Sequence, residues 1–374
     1  MHPIVTVFWR IWLVALLSLS LASCGWIEAW WNGNSSSSEE ESSLSDDNES
    51  SNGSGGELSF MVAKSLPTLP WFFAEKEGLF AAYGEENTVS ISFKESDYES
   101  VINKFISREV DAIVATNIDV ISKIATRDIT TDVILITGYS AGNEAILVPS
   151  NSNADIRNKK IALPEFSVNH YLLDRYLLRN QIDLDQVTIE NTKDTALQDA
   201  VGKEGIFGVV ASNPLVSQLV RSGGAKTLFS SREINNEINY LLIIHREALA
   251  KNPGFGKALL AIWFSTMERL QGNKRSATLD VLAAMENVDQ AEFEQRFSMI
   301  NLIELPSRGL SSIRDRTMRK TMRHIRLFMK NHNKSPDGDI STLISYPGRT
   351  PAVLHFNAEP LQEFVAPTQG TQAK

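Results

Sequence analysis

The chain has 374 residues, with 36 Lys and Arg against 45 Asp and Glu, a formal net charge of −9 and 43% hydrophobic residues. This length and composition are typical of a globular protein with about two domains. Eight of the acids lie within residues 24–57, where there is no Lys or Arg, so the rest of the chain is nearly neutral. A nearly neutral body excludes a broad phosphate-binding face as the working surface of the protein, and nucleic acid is therefore not expected as a partner.

Cys24 is the one cysteine of the sequence, which excludes a disulfide framework and a cysteine-based zinc site. The apolar run 11–22 before it is too short to span a bilayer and is typical of a signal peptide. Leu21-Ala-Ser-Cys24 resembles the bacterial lipobox, which implies a lipoprotein signal peptide over 1–23 and acyl chains on Cys24. A cleaved signal without lipid, or a buried free thiol, is the alternative interpretation. With the lipid, the protein is exported and anchored to a bacterial membrane, on the periplasmic side or at the cell surface.

Residues 32–57 consist almost entirely of Ser, Gly, Asn and acids. Such a segment cannot bury enough apolar surface to offset the entropy lost on ordering. We therefore predict that 24–57 is a disordered acidic tether, long enough to let a folded body work close to the membrane.

From Leu58 onward, short apolar runs alternate with amphipathic helical patterns, which is typical of an α/β sheet. Strands are predicted at 60–64, 89–93, 111–115, 133–137, 160–163, 187–190, 206–210 and 238–244. Helices are predicted at 71–78, 98–107, 119–125, around 171–177, near 195 and at 215–220. The two successive series indicate two lobes, and after Ile244 the chain is expected to be almost all helical to Asn331. There is no HExxH, Gly-rich phosphate loop or EF-hand pattern, so no metal or cofactor is expected.

Five motifs follow one another in a recognisable order. They are Ala63-Lys-Ser-Leu-Pro67, Ala74-Glu-Lys-Glu-Gly-Leu-Phe80, Val110-Asp-Ala-Ile-Val114, Ser140-Ala-Gly-Asn-Glu-Ala-Ile-Leu147 and Phe166-Ser-Val-Asn-His-Tyr-Leu-Leu173. Through them the chain resembles the periplasmic solute-binding components of ABC importers in the nitrate/sulfonate/taurine group. The resemblance implies an α/β, two-lobed periplasmic-binding-protein type II (Venus-flytrap) architecture with a mostly helical C-terminal part. It also implies a monomer that has no catalytic residues and delivers a small-molecule solute to an ABC permease and its ATPase.

In that architecture, lobe 1 is expected to comprise 58–147 and 240–346, and lobe 2 to comprise 148–239. The hinge would lie at the crossings near Ala145 and Tyr240, and ligand binding would select the closed state. The tail 347–374 is predicted to be irregular apart from a possible short strand at 352–355.

The resemblance places candidate ligand contacts in the loops that face the cleft. They are Ser65 and Thr68 after the first strand, Thr116 and Asn117 after the third, Ser140, Gly142 and Glu144 after the next, Ser167 and His170 at a helix N-terminus of lobe 2, Asn213 after a lobe 2 strand, and Tyr240 on the return crossing. Structural roles compete with these assignments: helix capping for the Ser and Thr residues, local hydrogen bonding for His170, and core packing for Tyr240.

Glu144 stands where the family often carries Asp. A carboxylate in a cleft is costly unless it is paired or bound to ligand, so a cationic or amide-rich solute suits this position better than nitrate or a sulfonate. An internal ion pair, or a solvated acid at the hinge, is the alternative. The family's frequent Trp-Asn-Pro is Ser212-Asn213-Pro214 here, which argues against a ligand stacked on an aromatic ring.

Two further features support other hypotheses. Gly138-Tyr-Ser-Ala-Gly142 matches the Gly-x-Ser-x-Gly elbow of serine hydrolases, but the elbow needs a helix after the Ser, and 143–149 is typical of a strand. Seven cations crowd one amphipathic segment, at Arg314, Arg316, Arg319, Lys320, Arg323, Arg326 and Lys330. This basic helix, within 310–333, is either a solvated face or a surface for anionic lipid or a partner, as in an interaction lipoprotein that does not bind a solute.

Overall fold

The computed structural model describes residues 56–332 and 340–366. The predicted signal peptide, Cys24 and nearly all of the predicted tether lie outside the described residues. Within the described chain, no helix combines the length and the apolar character needed to cross a membrane.

The strands form two sheets. In chain order they are β1 (Leu58–Val62), β2 (Ile91–Glu95), β3 (Ala112–Thr116), β4 (Thr131–Ser140), β5 (Glu144–Pro149), β6 (Lys159–Leu163), β7 (Val187–Asn191), β8 (Gly208–Ser212), β9 (Ala225–Ser230), β10 (Asn239–His245), β11 (Ile300–Leu302), β12 (Ile344–Ser345) and β13 (Leu354–Phe356).

Helices cover the faces of both sheets and make up most of the chain after β10. They are α1 (Leu69–Lys76), α2 (Leu79–Glu86), α3 (Tyr98–Ile106), α4 (Asn117–Asp119), α5 (Val168–Arg179), α6 (Leu197–Ala200), α7 (Leu215–Arg221), α8 (Arg246–Lys251), α9 (Pro253–Arg269), α10 (Arg275–Met285), α11 (Gln290–Phe297), α12 (Pro306–Arg314), α13 (Arg316–Asn331) and α14 (Glu359–Val365).

The first sheet has the order β12-β13-β4-β10-β3-β1-β2, with β11 paired to the end of β4. In it β1 is parallel to β2 and β3, whereas β10 is antiparallel to both β3 and β4. The second sheet has the order β7-β6-β8-β5-β9, in which β5 is antiparallel to both neighbours. We call the two sheets, with their helices, lobe 1 and lobe 2.

The chain crosses between the lobes twice. It leaves lobe 1 after Ser140 and enters lobe 2 at Glu144, and it returns between Ser230 and Asn239. The sequence predicts that lobe 1 extends to residue 147, but 144–147 already pair with β8 and β9 of lobe 2. We call 141–143 the first crossing and 231–238 the second crossing.

Burial explains which strands were evident from the sequence. Strands β1 and β3 are buried along their whole length and consist almost entirely of apolar residues, as expected for strands covered by helices on both faces. Strand β9 was not predicted because it is an edge strand, in which Lys226 and Thr227 interrupt the apolar pattern.

The C-terminal segment is more ordered than predicted. Strand β13 lies parallel to β4, and α14 packs against α9 and α12. Phe356 and Leu361 are fully buried there. The possible strand at 352–355 overlaps β13. The prediction that the rest of the tail is irregular is wrong for α14, because this helix packs near the β4 edge of the sheet, a contact that no local pattern reveals.

An aromatic cluster holds the helical part of lobe 1 onto its sheet. The Phe60 ring on β1 lies 4.7 Å from Trp71 on α1, and Trp71 lies 5.1 Å from Trp263 on α9. The Trp263 Nε1–H donates to the Ile303 carbonyl at 2.8 Å, so the indole is both buried and hydrogen-bonded.

Trp263→Ala is expected to lower the free energy of unfolding by about 3–5 kcal/mol, since it leaves a large cavity and an unpaired carbonyl. The measurement is chemical denaturation. Leu178→Ala, at a side chain that is 62% exposed on α5, is the control and is expected to change that free energy by less than about 0.5 kcal/mol. Equal effects of the two variants would contradict the cluster's role.

Candidate functional site at the two crossings

The two crossings are hydrogen-bonded to each other. Ser231 Oγ on the second crossing lies 2.6 Å from Ser140 Oγ and accepts a hydrogen bond from the Gly142 N–H at 2.8 Å. The Ser140 N–H donates to the Ile238 carbonyl at 2.9 Å. The paths between the lobes are thereby tied into one unit.

Glu144 lies directly after the first crossing, at the start of β5, and is only 2% exposed. Its Oε1 accepts a hydrogen bond from Asn143 Nδ2 at 2.7 Å and a long one from Tyr240 OH at 3.5 Å. Burial raises the pKa of the Glu144 carboxyl, against the opposing effect of the nearby Ser140 hydroxyl, the Asn143 amide and the Ser231 hydroxyl. No Lys, Arg or His of the described chain forms an ion pair with it.

Two buried oxygens of this group have no hydrogen-bond partner within the described residues. They are Glu144 Oε2 and Asn143 Oδ1. Buried acceptors without donors are costly, and both oxygens could accept hydrogen bonds from a bound molecule. We call Ser140, Asn143, Glu144, Ser231 and Tyr240 the crossing cluster.

Asn117 connects the end of β3 to the second crossing. Its Nδ2 donates to the Glu237 carbonyl at 2.9 Å, and its Oδ1 accepts from the Asn239 N–H at 3.1 Å. The side chain of Glu237 continues this connection into lobe 2, where it forms a bidentate ion pair with Arg175 at 2.7 and 3.0 Å. Although burial acts in the other direction, hydrogen bonds from Arg175 and Tyr171 lower the pKa of Glu237.

A second polar group lies at the end of β3 beside α4. The buried Asp119 carboxylate accepts hydrogen bonds from Thr116 Oγ1 at 2.6 Å and Tyr98 OH at 2.9 Å, and pairs with Lys123 at 2.6 Å. Although burial acts to lower it, the Asp119 charge raises the pKa of Lys123. Thr116 is therefore engaged with Asp119 rather than open to the cleft.

The remaining predicted residues have local partners. Thr68 Oγ1 donates a hydrogen bond to the Ala63 carbonyl at 2.6 Å and accepts one from the Ser65 N–H, as a helix-capping group does. Ser167 caps α5. Asn213, before a cis peptide bond to Pro214, accepts a hydrogen bond from Ser217 Oγ and lies 3.1 Å from Met299 Sδ of lobe 1.

His170 lies on α5 and packs against Phe328 of α13 and His332. Its ring lies 5.0 Å from Phe328 and 4.3 Å from His332, and its Nδ1 accepts from the Phe166 N–H at 3.2 Å. Burial and the nearby His332 lower the pKa of His170 to about 3, so the ring is neutral at physiological pH. The structure places His170 away from the crossing cluster, at a contact between the lobes.

The lobes contact each other on several sides of the crossings. Arg221 on α7 forms an ion pair with Glu292 on α11 at 2.7 Å, and Tyr171 on α5 packs on Phe328 of α13. In this arrangement the side chains of the crossing cluster are buried.

The Gly-x-Ser-x-Gly match has a structural explanation. A Cβ on Gly138 would lie 2.6 Å from the Asn301 carbonyl oxygen of β11, and Gly142 has a φ of +123°, which favours glycine. Ser140 is followed by strand β5 rather than a helix, so the geometry of a nucleophile elbow is not present at this position.

Two cavities lie in lobe 1, away from the crossing cluster. One of about 510 Å³ is bounded by Arg314, Arg319, Tyr346 and the C-terminal segment. The other, of about 700 Å³, lies beside α12. Among the described residues, no group of three or more His, Cys, Asp or Glu side chains is placed to hold a metal ion.

The sequence pointed to Ser140, Gly142, Glu144 and Tyr240 as cleft residues. It did not point to Ser231, which is hydrogen-bonded to Ser140 and Gly142. A signal for the second crossing was present, because Ser230 and Glu233 form a capping box that marks the end of β9. The pair Asp119 and Lys123 was also omitted, although its i, i+4 spacing directly after a buried strand was available.

Comparison with known proteins gives a likeness of structure. No protein-family model matches the chain, and no curated protein matches it. The alkanesulfonate-binding protein SsuA from Xanthomonas axonopodis pv. citri, bound to MOPS, aligns with a TM-score of 0.60 at 16% identity, over 75% of this chain and 94% of that one. The periplasmic aliphatic sulphonate-binding protein SsuA from Escherichia coli aligns with a TM-score of 0.60 at 18% identity, over 76% and 90%. The periplasmic nitrate-binding protein NrtA from Synechocystis PCC 6803 aligns with a TM-score of 0.50 at 12% identity, over 63% of this chain and 68% of that one.

The described chain therefore has the fold of the periplasmic binding proteins, and the predicted fold class is confirmed. Its structural neighbours include sulfonate-binding and nitrate-binding proteins of the group that the sequence resembles. At these identities the likeness establishes the fold, so the choice of solute has to be argued from the chain's own site.

Glu144→Gln is expected to raise the free energy of unfolding at about pH 8, because it removes a carboxylate whose charge is penalised by burial. The folded protein holds this proton more tightly than the unfolded chain. The penalty in the native protein therefore grows as pH rises through the raised pKa, and it disappears as pH falls below the ordinary value of 4.5.

Denaturation of both proteins at several pH values measures this difference. Glu204→Gln, at an exposed carboxylate of lobe 2, is the matched control and is expected to show little change at any pH. A Glu144→Gln protein less stable than the native one at high pH would mean that the carboxylate is stabilised by a partner.

Proposed function

We propose that this protein is the solute-binding component of an ABC importer, exported and anchored through a lipid on Cys24, which delivers a small polar solute to a membrane permease. The observation that carries this proposal is the crossing cluster, a buried polar site between two lobes of the periplasmic-binding fold. Ligand contacts at Ser140, Glu144 and Tyr240 form part of the proposal, with Asn143 and Ser231 added to them.

The chemistry of the cluster favours a solute that donates hydrogen bonds. Glu144 Oε2 and Asn143 Oδ1 are buried acceptors without donors, and no cation of the described chain neutralises the carboxylate. A cation or an amide would supply donors to both oxygens, and a cation would also keep Glu144 ionised. The solute proposed here is therefore a small cationic or amide compound.

The structural neighbours argue for the general role and provide a contrast in ligand. Their names state that they bind sulfonates or nitrate, which are anions. An anion beside the Glu144 carboxylate would be repelled at low effective dielectric unless the carboxyl took up a proton. Glu144 thus favours a solute that is not an anion, in contrast to the ligands named for the structural neighbours.

Capture would proceed by closure of the lobes about the two crossings. Hydrogen bonds through Ser231 hold the crossings together, whereas the contacts between Arg221 and Glu292 and between Tyr171 and Phe328 break when the lobes separate. A solute that binds only the closed state shifts the population toward it, and the permease then receives the closed form.

A thermal-denaturation screen of the full chain tests the proposal, with guanidinium, urea and a polyamine compared with taurine, nitrate and an alkyl sulfonate at low millimolar concentration. A ligand present at 100 times its Kd adds about 2.7 kcal/mol and raises the melting temperature by a few degrees. We expect a shift with a cationic or amide compound that is lost in Glu144→Gln and kept in Glu204→Gln.

The possible contrary results have different meanings. A shift with sulfonate or nitrate that survives Glu144→Gln would retain the solute-binding role and reject the charge assignment. If nothing shifts the melting temperature while an ester is hydrolysed and Ser140→Ala abolishes the hydrolysis, the protein is a hydrolase instead.

A further inference from the structure

Helix α13 carries cations on one side only. Arg316, Arg319, Lys320, Arg323, Arg326 and Lys330 fall within about 120° of arc on a helix with 100° per residue. The helix contains no Asp or Glu. Its opposite side, formed by Met318, Thr321, Met322, Ile325, Phe328 and Met329, is buried against the rest of the protein. We call the exposed side the basic face.

The charges of the basic face are not neutralised within the described chain. None of the six cations forms an ion pair or donates a hydrogen bond to a described residue. Arg319 lies over the Tyr346 ring at 4.9 Å, a contact that leaves its positive charge uncompensated. Arg314 at the end of α12 is exposed and lines one cavity together with Arg319, which adds a cation next to the basic face.

An exposed apolar side chain lies within this face. Leu327 is 46% exposed, and viewed along the helix axis it falls between Arg316 and Lys320. The face is about 24 Å long, since α13 has 16 residues. The cations are spread along that length and do not converge on one point, so a single small anion cannot neutralise them together.

We propose that the basic face of α13 docks this protein onto an anionic lipid bilayer, with the helix axis parallel to the membrane surface. A flat and uniformly anionic surface can neutralise all six cations at once. The long Arg and Lys stems allow Leu327 to enter the edge of the apolar layer while the charged groups remain among the headgroups. An acidic protein would offer carboxylates at fixed points and no apolar layer for Leu327.

This docking does not depend on the identity of the solute or on the crossing cluster. Docking through α13 would fix the orientation of the folded body on the membrane, in addition to any lipid anchor. Helix α13 also contacts both lobes: Phe328 packs on Tyr171 of lobe 2, and His324 lies 3.5 Å from Glu237 of the second crossing. A bilayer that binds α13 therefore holds the helix that connects lobe 1 to lobe 2.

Vesicle co-sedimentation of the full chain, with Cys24→Ser in every sample to prevent acylation, tests the proposal. Vesicles of phosphatidylcholine with about 30% phosphatidylglycerol are compared with phosphatidylcholine alone. We expect stronger binding to the anionic vesicles, which weakens as salt increases. Arg316→Gln with Arg323→Gln should lower the partition coefficient about 30-fold, the loss expected when two cations leave an anionic surface.

The matched control replaces two exposed lysines away from α13, Lys94 on β2 and Lys203 in lobe 2, by Gln. It changes the net charge equally and should alter binding less than about threefold. Melting temperatures of both double variants establish that they are folded. Equal losses in the two variants, or equal binding to both vesicle types, overturn the proposal. Binding to polyglutamate but not to anionic vesicles, lost with Arg316 and Arg323, would also overturn it and assign the face to an acidic protein.

Discussion

The arrangement of this protein depends on the hydrogen bonds that join the two crossings. Ser231 Oγ contacts both Ser140 Oγ and the Gly142 N–H, and the Ser140 N–H is bound to the Ile238 carbonyl. Both paths between the lobes are therefore fixed to each other at this place. In the proposed function, the lobes would rotate about this line, and Glu144 would stay close to the axis, where both lobes could contact one solute.

Burial decides what this axis can do chemically. A carboxylate at the surface would be solvated, and its charge would discriminate only weakly between solutes. Glu144 is buried, so its charge is expensive unless a partner compensates it. In the proposed function, closure and selection would therefore be coupled, since a solute with donors for Glu144 and Asn143 would lower the energy of the closed state directly. Asp119, by contrast, has Lys123, Thr116 and Tyr98 as partners and needs no ligand.

Helix α13 has a separate role in the architecture. Its buried side joins lobe 1 to α5 through Phe328, while its exposed side presents six cations and no acid. A helix with only one sign of charge is poorly suited to a purely solvated surface, because its like charges repel each other along the helix. The same element thus contacts both lobes and presents a one-sided row of cations.

The sequence by itself determined the α/β alternation, the two series of strands and most strand positions, because buried strands such as β1 and β3 are continuous apolar runs. The resemblance to a known family, read from the sequence, also suggested Ser140, Gly142, Glu144 and Tyr240 as cleft residues, and the structure places them at or beside the crossings. Local patterns could not reveal β9, helix α14, or Ser231 as the partner of Ser140, 91 residues away. Those features depend on contacts between distant segments. Only the tertiary structure decided that Glu144 is buried without a cation, that Thr116 is taken up by Asp119, and that His170 packs against α13, because each outcome depends on which side chain the fold brings within a few ångströms.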